Sequence, residues 1–388
     1  MKVAVIGAGI AGTAAAFEIA RQGGRATVFH DLVGASGLYS GALDYELWDR
    51  AGEVSVLDGR LSEFSQQLGA WELGSATRRL ATLEGNVRPA RGSDSGLLDL
   101  ERCVGKRVAV IDLERDDWDA PLLAKSFASS AWAEQTQTRF FAAHAKVLQK
   151  GFERRISGYD FAALLDAPER AQALQMALRE SGVQADAWLF GPWLGIDRPL
   201  ARELSAALGV PVGETTSAPG GVAGARFEQA RDRLLGRIAD VARGCLISVE
   251  RNGSGYGLQL RDRAPEQFPI VVLATGGVAA GGVALERSFE RRGGTGFRLS
   301  FTSPLALELD AEVVEGVSSL SSVDFAERGL DALLKVGIAT QARGSVRDNP
   351  GIFVAGDAIA GRPRTALIAA HSGLEAARSA LDYGRRLG

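Results

Sequence analysis

The sequence has 388 residues, and its composition excludes several classes of protein. Lys and Arg total 44 against 47 Asp and Glu, a formal net charge of −3 with no basic block, so the clustered cations that nucleic-acid binding needs are missing. Two Cys and three His are too few for a disulfide framework, a four-thiolate iron–sulfur site or a typical zinc site, and no metal site is predicted. A chain this poor in reactive side chains is expected to depend on a bound cofactor for demanding chemistry.

No segment of the sequence is predicted to cross a membrane. The longest uncharged apolar stretches, Val3–Phe17 and Pro269–Leu285, are shorter than the ~20 residues that a transmembrane helix needs, and both are rich in Gly. Glycines within the first stretch and Glu18 at its end also argue against a signal peptide. We therefore expect a cytoplasmic location.

The first 30 residues predict a β-α-β unit. A β-branched run at Lys2–Ile6 indicates a strand, Gly7–Gly12 a turn, and the Ala-rich segment Ile10–Gln22 a helix. Gly23 and Gly24 end this helix, and Arg25–His30 is the second strand. Such a unit is typical of the start of a parallel sheet.

The pattern between this unit and residue 105 is less regular, and regular elements then return. In chain order, the further predictions are a helix over Arg60–Trp71, a strand over Arg107–Ile111, a helix over Pro121–Ala131, a strand over Thr138–Ala142, helices over Asp160–Asp166 and Pro168–Glu180, a strand over Ala187–Phe190, a helix over Pro199–Leu208, a strand over Val210–Val212, a helix over Arg226–Gly236, a hairpin of Cys245–Arg251 and Gly257–Arg263, strands over Ile270–Ala274 and Ile352–Ala355, and a helix over Thr365–Leu381.

The turn after the first strand matches the G-x-G-x-x-G pattern of dinucleotide-binding proteins. Gly7 allows the tight turn, Gly9 allows the backbone to approach a pyrophosphate, and Gly12 allows the helix to pack on the strand. Ile10 and Ala11 begin the helix, whose N-terminal N–H groups and dipole favour an anion. The alternative is a turn in which the glycines serve packing alone.

The second strand ends without the acidic residue that usually holds the adenosine ribose. His30 occupies that position, and Asp31 follows it. Either side chain is a candidate for the ribose contact, and an equal alternative is that neither touches the cofactor.

Two later motifs favour a flavin over a nicotinamide cofactor. Gly356 and Asp357 follow the apolar strand Ile352–Ala355, an arrangement in which the carboxylate accepts hydrogen bonds from ribityl hydroxyls. The next helix, with Thr365 and Ala366 at its start, is expected to point its N terminus at the O2/N1 edge of the flavin, where a positive dipole stabilises the reduced anion. The alternative for Asp357 is an ordinary helix cap.

The other motif, which includes Thr275 and Gly276, and one further loop add to the predicted cofactor site. Thr275 and Gly276 lie at the end of the predicted strand Ile270–Ala274, in a position expected near the adenine half. Ser36, Ser40 and Gly41 lie in a loop of small residues expected to pass along the pyrophosphate and the flavin, although a plain flexible loop is the alternative. Because this loop has neither His nor Cys, we expect the flavin to be non-covalent.

These motifs predict an α/β fold whose Rossmann-type FAD-binding domain is discontinuous. The first part of that domain is predicted over residues 1–110 and the remainder over residues 216–388, including the C-terminal strand and helix. An inserted α+β domain over residues 111–215 is expected to cap the site or to dock a partner.

Several segments resemble the B-type subunit of anaerobic glycerol-3-phosphate dehydrogenase, a flavoprotein of the succinate dehydrogenase/fumarate reductase-like class. The resembling segments are Ser40–Asp44, Pro219–Leu234, Leu273–Arg287, Val336–Thr340 and Gly351–Ala358. The resemblance implies a protein that works beside a substrate-oxidising flavoprotein and an iron–sulfur subunit, passing electrons from glycerol 3-phosphate or a partner flavin toward quinone. It also implies FAD or FMN, and the glycine turn favours FAD because FMN has no adenosine pyrophosphate. Peripheral association with the inner face of the cell membrane through the partners is compatible with this arrangement.

Three side chains near the predicted flavin edge are candidates for catalysis. Arg362 and Arg364 suit an anionic substrate, since guanidinium binds carboxylate and phosphate in a bidentate manner, but flavin phosphate or solvent are alternative partners. His371 has an ordinary pKa near neutrality, which suits proton transfer, yet a His within a helix also packs or caps.

Two other functions remain open at this point. One is a stand-alone FAD-dependent dehydrogenase or oxidase of a small organic acid or amine, and the other is a non-catalytic subunit with a structural flavin.

Overall fold

A computed structural model of the protein describes residues 1–31, 33–44, 59–253, 255–288, 297–310, 314–317, 335–341 and 344–387. The strands are β1 (Lys2–Ile6), β2 (Arg25–His30), β3 (Ala42–Leu43), β4 (Trp71–Ala81), β5 (Val87–Asp94), β6 (Arg107–Asp112), β7 (Arg139–His144), β8 (Ala187–Phe190), β9 (Val212–Glu214), β10 (Ala239–Arg243), β11 (Leu246–Asn252), β12 (Gly255–Leu260), β13 (Glu266–Phe268), β14 (Ile270–Leu273), β15 (Ala284–Ser288), β16 (Phe297–Thr302), β17 (Leu309–Asp310), β18 (Val314–Val317), β19 (Gly337–Ile338), β20 (Ser345–Val346) and β21 (Asn349–Val354). The helices are α1 (Ile10–Arg21), α2 (Gly59–Leu68), α3 (Ala120–Ala128), α4 (Ala131–Thr136), α5 (Gly158–Leu165), α6 (Pro168–Glu180), α7 (Leu200–Leu208), α8 (Val222–Ile238) and α9 (Ala366–Leu387).

The main sheet has six strands in the order β10-β2-β1-β14-β21-β20, and all are parallel except β20. Its strands come from both ends of the sequence, as the predicted discontinuous Rossmann-type domain requires. Strand β14 is buried at every position, which is typical of a central parallel strand covered on both faces. Each fully buried Val or Ile of this kind contributes about 1.5–3 kcal/mol through burial.

The two faces of this sheet are covered differently. Helices α1 and α9 pack on one face through alanines, and Gly373 allows their close approach because a Cβ there would lie 2.1 Å from the carbonyl oxygen of Ala11. The antiparallel sheet β11-β12-β13 covers the other face, where Phe268 packs edge-on against Phe29. This layering explains the apolar sequence of the strands.

A second apolar core lies in the middle of the chain. Strands β7-β6-β8-β9 form a four-stranded parallel sheet with helices between them, and the antiparallel sheet β3-β5-β4 lies alongside. The four-stranded sheet has β-α-β units within or close to the predicted insertion, whereas the antiparallel sheet is formed by residues that precede it. The boundaries predicted for it, at residues 111 and 215, stay a prediction.

Two sequence expectations needed correction in this region. The helix predicted over Arg60–Trp71 ends at Leu68, because Gly69 adopts φ +77° and Trp71 then begins β4. The segment described as less regular contains most of the antiparallel sheet.

Within the described residues, no helix combines the length and apolar character that crossing a bilayer requires.

Candidate functional site

A cavity of about 770 Å³ lies at the carboxyl ends of the parallel strands of the main sheet. Segments that follow four of these strands line it: the turn after β1, His30 and Asp31 after β2, Thr275 and Gly276 after β14, and the Gly356–Asp357 turn after β21. The carboxyl edge of such a sheet is where ligands bind in doubly wound α/β folds. One cavity thus joins motifs separated by 350 positions in the sequence.

The glycine turn is fixed by contacts that leave no room for a side chain. Gly7 has φ +106°, and a Cβ there would lie 2.2 Å from the carbonyl oxygen of Ala274. A Cβ on Gly12 would lie 1.9 Å from the carbonyl oxygen of Gly7, so this residue serves packing and does not line the cavity. Gly9, in contrast, faces the cavity at the N-cap of α1. The bare turn fits a pyrophosphate.

The loop at residues 33–41 lies against the start of α1. The N–H of Ile10 donates to Ser36 Oγ at 2.9 Å, and a Cβ on Gly9 would approach that oxygen to 2.9 Å. Ser40 also lines the cavity, whereas Gly41, with φ +101°, packs against Leu97. The hydroxyl of Ser36 therefore marks the position where an anion would meet the helix N terminus.

His30 and Asp31 both line the cavity at the end of β2. Burial lowers the pKa of His30, and the nearby charge of Arg231 lowers it further. Asp31 forms an ion pair with Arg243, with 3.0 Å between Oδ1 and Nε. The lowered pKa favours the neutral imidazole, which has one hydrogen-bond donor and one acceptor, while the carboxylate of Asp31 is already engaged by Arg243.

Asp357 lies in a short 3₁₀ turn after β21 and faces the cavity. Burial raises the pKa of this carboxyl, and the charge of Arg364 opposes the rise only in part. Among the described residues, the buried atoms Thr275 Oγ1 and Arg364 Nε have no hydrogen-bond partner. Buried polar atoms of this kind require a partner, and a polar ligand in the cavity would satisfy them.

The structure separates the three candidate catalytic residues. Arg364 lines the cavity, packs on Gly277 and donates from Nη2 to the carbonyl oxygen of Val336 at 2.6 Å. Arg362 and His371 are absent from the described lining. Both lie near Glu375, at 3.5 Å from Arg362 Nη1 and 3.6 Å from His371 Nδ1 to its Oε2.

Thr365 and Ala366 line the cavity at the start of α9, which has 22 residues. The N–H of Ile368 donates to Thr365 Oγ1 at 3.4 Å, so Thr365 caps this helix. The positive end of the helix dipole therefore faces the cavity, and its predicted place at the O2/N1 edge of a flavin stays a prediction.

Several polar side chains that line the cavity were not predicted from the sequence, among them Tyr39, Asp44, Arg88 and Arg231. Asp44 and Arg88 form an ion pair, and the hydroxyl of buried Tyr39 donates to the carbonyl oxygen of Gly41 at 3.0 Å. Arg231 lies on the wall next to the glycine turn. Asp44 and Arg231 lie in resembling segments, but no motif assigns any of these four side chains to the site, because tertiary packing brings each of them there.

A buried cluster of three charges lies behind the loop of Ser40 and Gly41. Arg226 Nη1 lies 2.9 Å from Asp94 Oδ1 and 2.5 Å from Glu214 Oε2, and all three side chains are nearly inaccessible to solvent. The N–H of Asp94 donates to the carbonyl oxygen of Gly41 at 2.7 Å. These contacts join strands β5 and β9, helix α8 and the loop of Ser40 and Gly41.

No protein-family model and no curated protein matches the chain. Among solved structures, it is similar to CabE, an aromatic hydroxylase from angucycline biosynthesis, at 12% identity over 99% of this chain and 63% of that one, with a TM-score of 0.36. BexE, studied for oxidation during BE-7585A biosynthesis, is 11% identical over 96% of this chain and 59% of that one, with a TM-score of 0.35. Glycine oxidase from Geobacillus kaustophilus is 14% identical over 98% of this chain and 94% of that one, with a TM-score of 0.34. The chain spans less than two thirds of the first two proteins. Its own strand order and glycine turn define a Rossmann-type α/β fold with an inserted domain.

Proposed function

We propose that the protein binds FAD non-covalently and is a flavin-dependent oxidoreductase. The observation that carries this proposal is the single cavity that joins the glycine turn at one end of the chain to the buried carboxylate of Asp357 at the other. FMN fits less well, because it would leave the turn without a pyrophosphate.

The residues present divide the work of holding the cofactor. Gly7 and Gly9 bring bare backbone to the pyrophosphate, and Ser36 offers a hydroxyl beside the N terminus of α1. Asp357 would accept hydrogen bonds from the ribityl hydroxyls, and the buried hydroxyl of Thr275 would hydrogen-bond the adenine half. His30 would hydrogen-bond the adenosine ribose.

The start of α9 acts on the reactive end. Its dipole favours negative charge at the adjacent flavin edge, and Arg364 adds a cation on the same wall. When bound, FAD supplies hydride acceptance and release, which the side chains of this protein do not supply themselves. Arg364 would orient an anionic substrate, whereas Arg362 and His371 would act only if the substrate reached the surface near Glu375.

Asp357 gives a direct test of the flavin site. We expect Asp357→Asn to weaken riboflavin binding roughly 10- to 100-fold, because the ionised carboxylate is the stronger hydrogen-bond acceptor. Since burial raises the pKa of Asp357 in the free protein, binding that favours the ionised form releases a proton, and wild-type affinity should rise as pH rises through that pKa. The variant should lose this slope in fluorescence titrations.

A matched control is Asp348→Asn, which changes an exposed Asp in the turn before β21 and should leave affinity and pH slope as in the wild type. Equal riboflavin affinity in the Asp357 variant and the wild type at all pH values would contradict the assignment of this carboxylate.

We further propose that the protein has the role of the B-type subunit of anaerobic glycerol-3-phosphate dehydrogenase, which it resembles. In this role it would pass electrons from glycerol 3-phosphate or a partner flavin to an iron–sulfur subunit and quinone, as a cytoplasmic chain that meets the membrane only through partners. The support is the set of motif resemblances, four of which contribute cavity residues: Ser40, Arg231, Thr275 and Asp357.

An absorption spectrum of the purified protein, with mass identification of the released flavin, tests both the proposed FAD binding and the proposed subunit role. We expect a yellow protein that releases FAD and that glycerol 3-phosphate reduces only when partner subunits are added. Reduction without partners would favour the stand-alone enzyme, and a bound flavin that no partner reduces would favour the non-catalytic role. A colourless protein that takes up no FAD would overturn the proposed function.

A further inference from the structure

Arg231 is a buried cation on the wall of the cavity, and the glycine motif gives no hint of it. The residue lies in α8 and is 8% exposed. Its Nη1 donates to the carbonyl oxygen of Ala8 at 3.5 Å, across 223 positions of sequence. Ala8 lies between Gly7 and Gly9, so the guanidinium is held at the turn itself.

Among the described residues, neither acidic neighbour of this cation on α8, Glu228 or Asp232, gives it a buried ion pair. It forms an ion pair with Asp232, at 2.9 Å from Nε, but that carboxylate is 59% exposed and solvent screens it. The charge of Arg231 also lowers the pKa of His30 and opposes the burial-driven rise in the pKa of Glu228. A guanidinium taken out of water is costly unless an anion approaches it closely.

We propose that Arg231 binds the pyrophosphate of the dinucleotide; this inference rests on the proposed FAD site. The planar fork of donors matches two phosphate oxygens, and its place between the turn and His30 puts it on the adenosine side of the flavin. The end of β2 has no acidic residue in the usual position to bind the ribose. The contact of Arg231 with the pyrophosphate would compensate for that missing interaction.

The test compares Arg231→Met with Arg233→Met, an exposed Arg on the same helix, by titration with FAD, ADP and riboflavin. ADP carries the pyrophosphate without the flavin, and riboflavin carries the flavin without the pyrophosphate. We expect Arg231→Met to weaken FAD and ADP binding roughly 10- to 100-fold and to leave riboflavin binding unchanged. Arg231→Lys, which keeps the charge, should restore part of the loss and provides a second variant if the Met variant does not fold.

The outcomes separate this inference from the proposed function. Equal losses for riboflavin, FAD and ADP would show a structural role and overturn it, as would affinities equal to those of Arg233→Met. If the wild type binds ADP through Arg231 but binds neither flavin, the proposed function fails and the pyrophosphate contact stands. If the wild type binds none of the three, both fail.

Discussion

Replacement of Arg226 by Met is expected to lower the free energy of unfolding by about 3–5 kcal/mol. The change removes the cation between Asp94 and Glu214, whose side chains are 0% and 1% exposed, and leaves two carboxylates buried together. Urea unfolding against the wild type measures the loss. Arg233→Met, on the exposed side of the same helix, should stay within about 0.5 kcal/mol of the wild type.

The loss in the Arg226 variant should also depend on pH. Burial raises the pKa of both Asp94 and Glu214 even with Arg226 present. The folded-state pKa of each carboxyl lies above the unfolded value of about 4, so its protonation stabilises the folded protein fully when the pH is below about 4. This contribution to the free energy of unfolding falls as pH rises through the folded-state pKa. Without Arg226 both pKa values rise further, so the variant should lose less unfolding free energy at about pH 5 than at about pH 8. An equal deficit at both would mean that the two carboxyls find another partner.

The second large effect is expected from Gly12→Ala, which should weaken FAD binding by about tenfold or more. The new Cβ would lie 1.9 Å from the carbonyl oxygen of Gly7, and since that atom belongs to the backbone, the whole turn must move. Such overpacking costs about 1–3 kcal/mol and displaces the backbone that would face the pyrophosphate of the proposed FAD. Riboflavin affinity should fall less, because the contacts proposed for it lie at Asp357 and the start of α9. Fluorescence titration with both ligands provides the measurement.

Gly236→Ala is the matched control for this substitution. Gly236 is an exposed glycine within α8 with no atom inside 4 Å of a Cβ placed there. Alanine should stabilise the helix there by about 0.5–1 kcal/mol and leave FAD affinity unchanged. Wild-type FAD affinity in the Gly12 variant would show that the turn does not contact the pyrophosphate.

The sequence predicted the parts of the fold that depend on local pattern. Strands such as Lys2–Ile6 and Arg25–His30 are confirmed with the same bounds, because apolar runs between glycines leave little choice. Strand β5 was missed because its sequence VRPARGSD is polar and contains Pro, and only its antiparallel partners make it a strand. Strand β10 was missed because its sequence ADVAR is short and contains no apolar run, and it follows α8 directly.

The same distinction applies to the candidate site. Gly7, Gly9 and Asp357 are visible in the sequence because each follows a strand in a recognisable turn, and the structure places all three at the cavity. Arg88 and Arg231 are not visible, since a single Arg in a strand or helix has many uses and only tertiary packing selects one. His371 shows the converse, because its place in the last predicted helix suggested the flavin edge while its side chain lies near Glu375.

The assembly of the main sheet from both ends of the chain has a consequence for biosynthesis. Strands β1 and β2 leave the ribosome first, but the neighbour of β1, strand β14, and then β21 follow only after residues 270 and 349. At roughly 5–20 residues per second, the first glycine turn waits about 20–70 s before residue 354 is made. During this time Val3 and Val5 lack the neighbours that bury them, so the nascent protein needs protection from aggregation. The proposed FAD site, which includes Asp357, can therefore form only after residue 357 has been made.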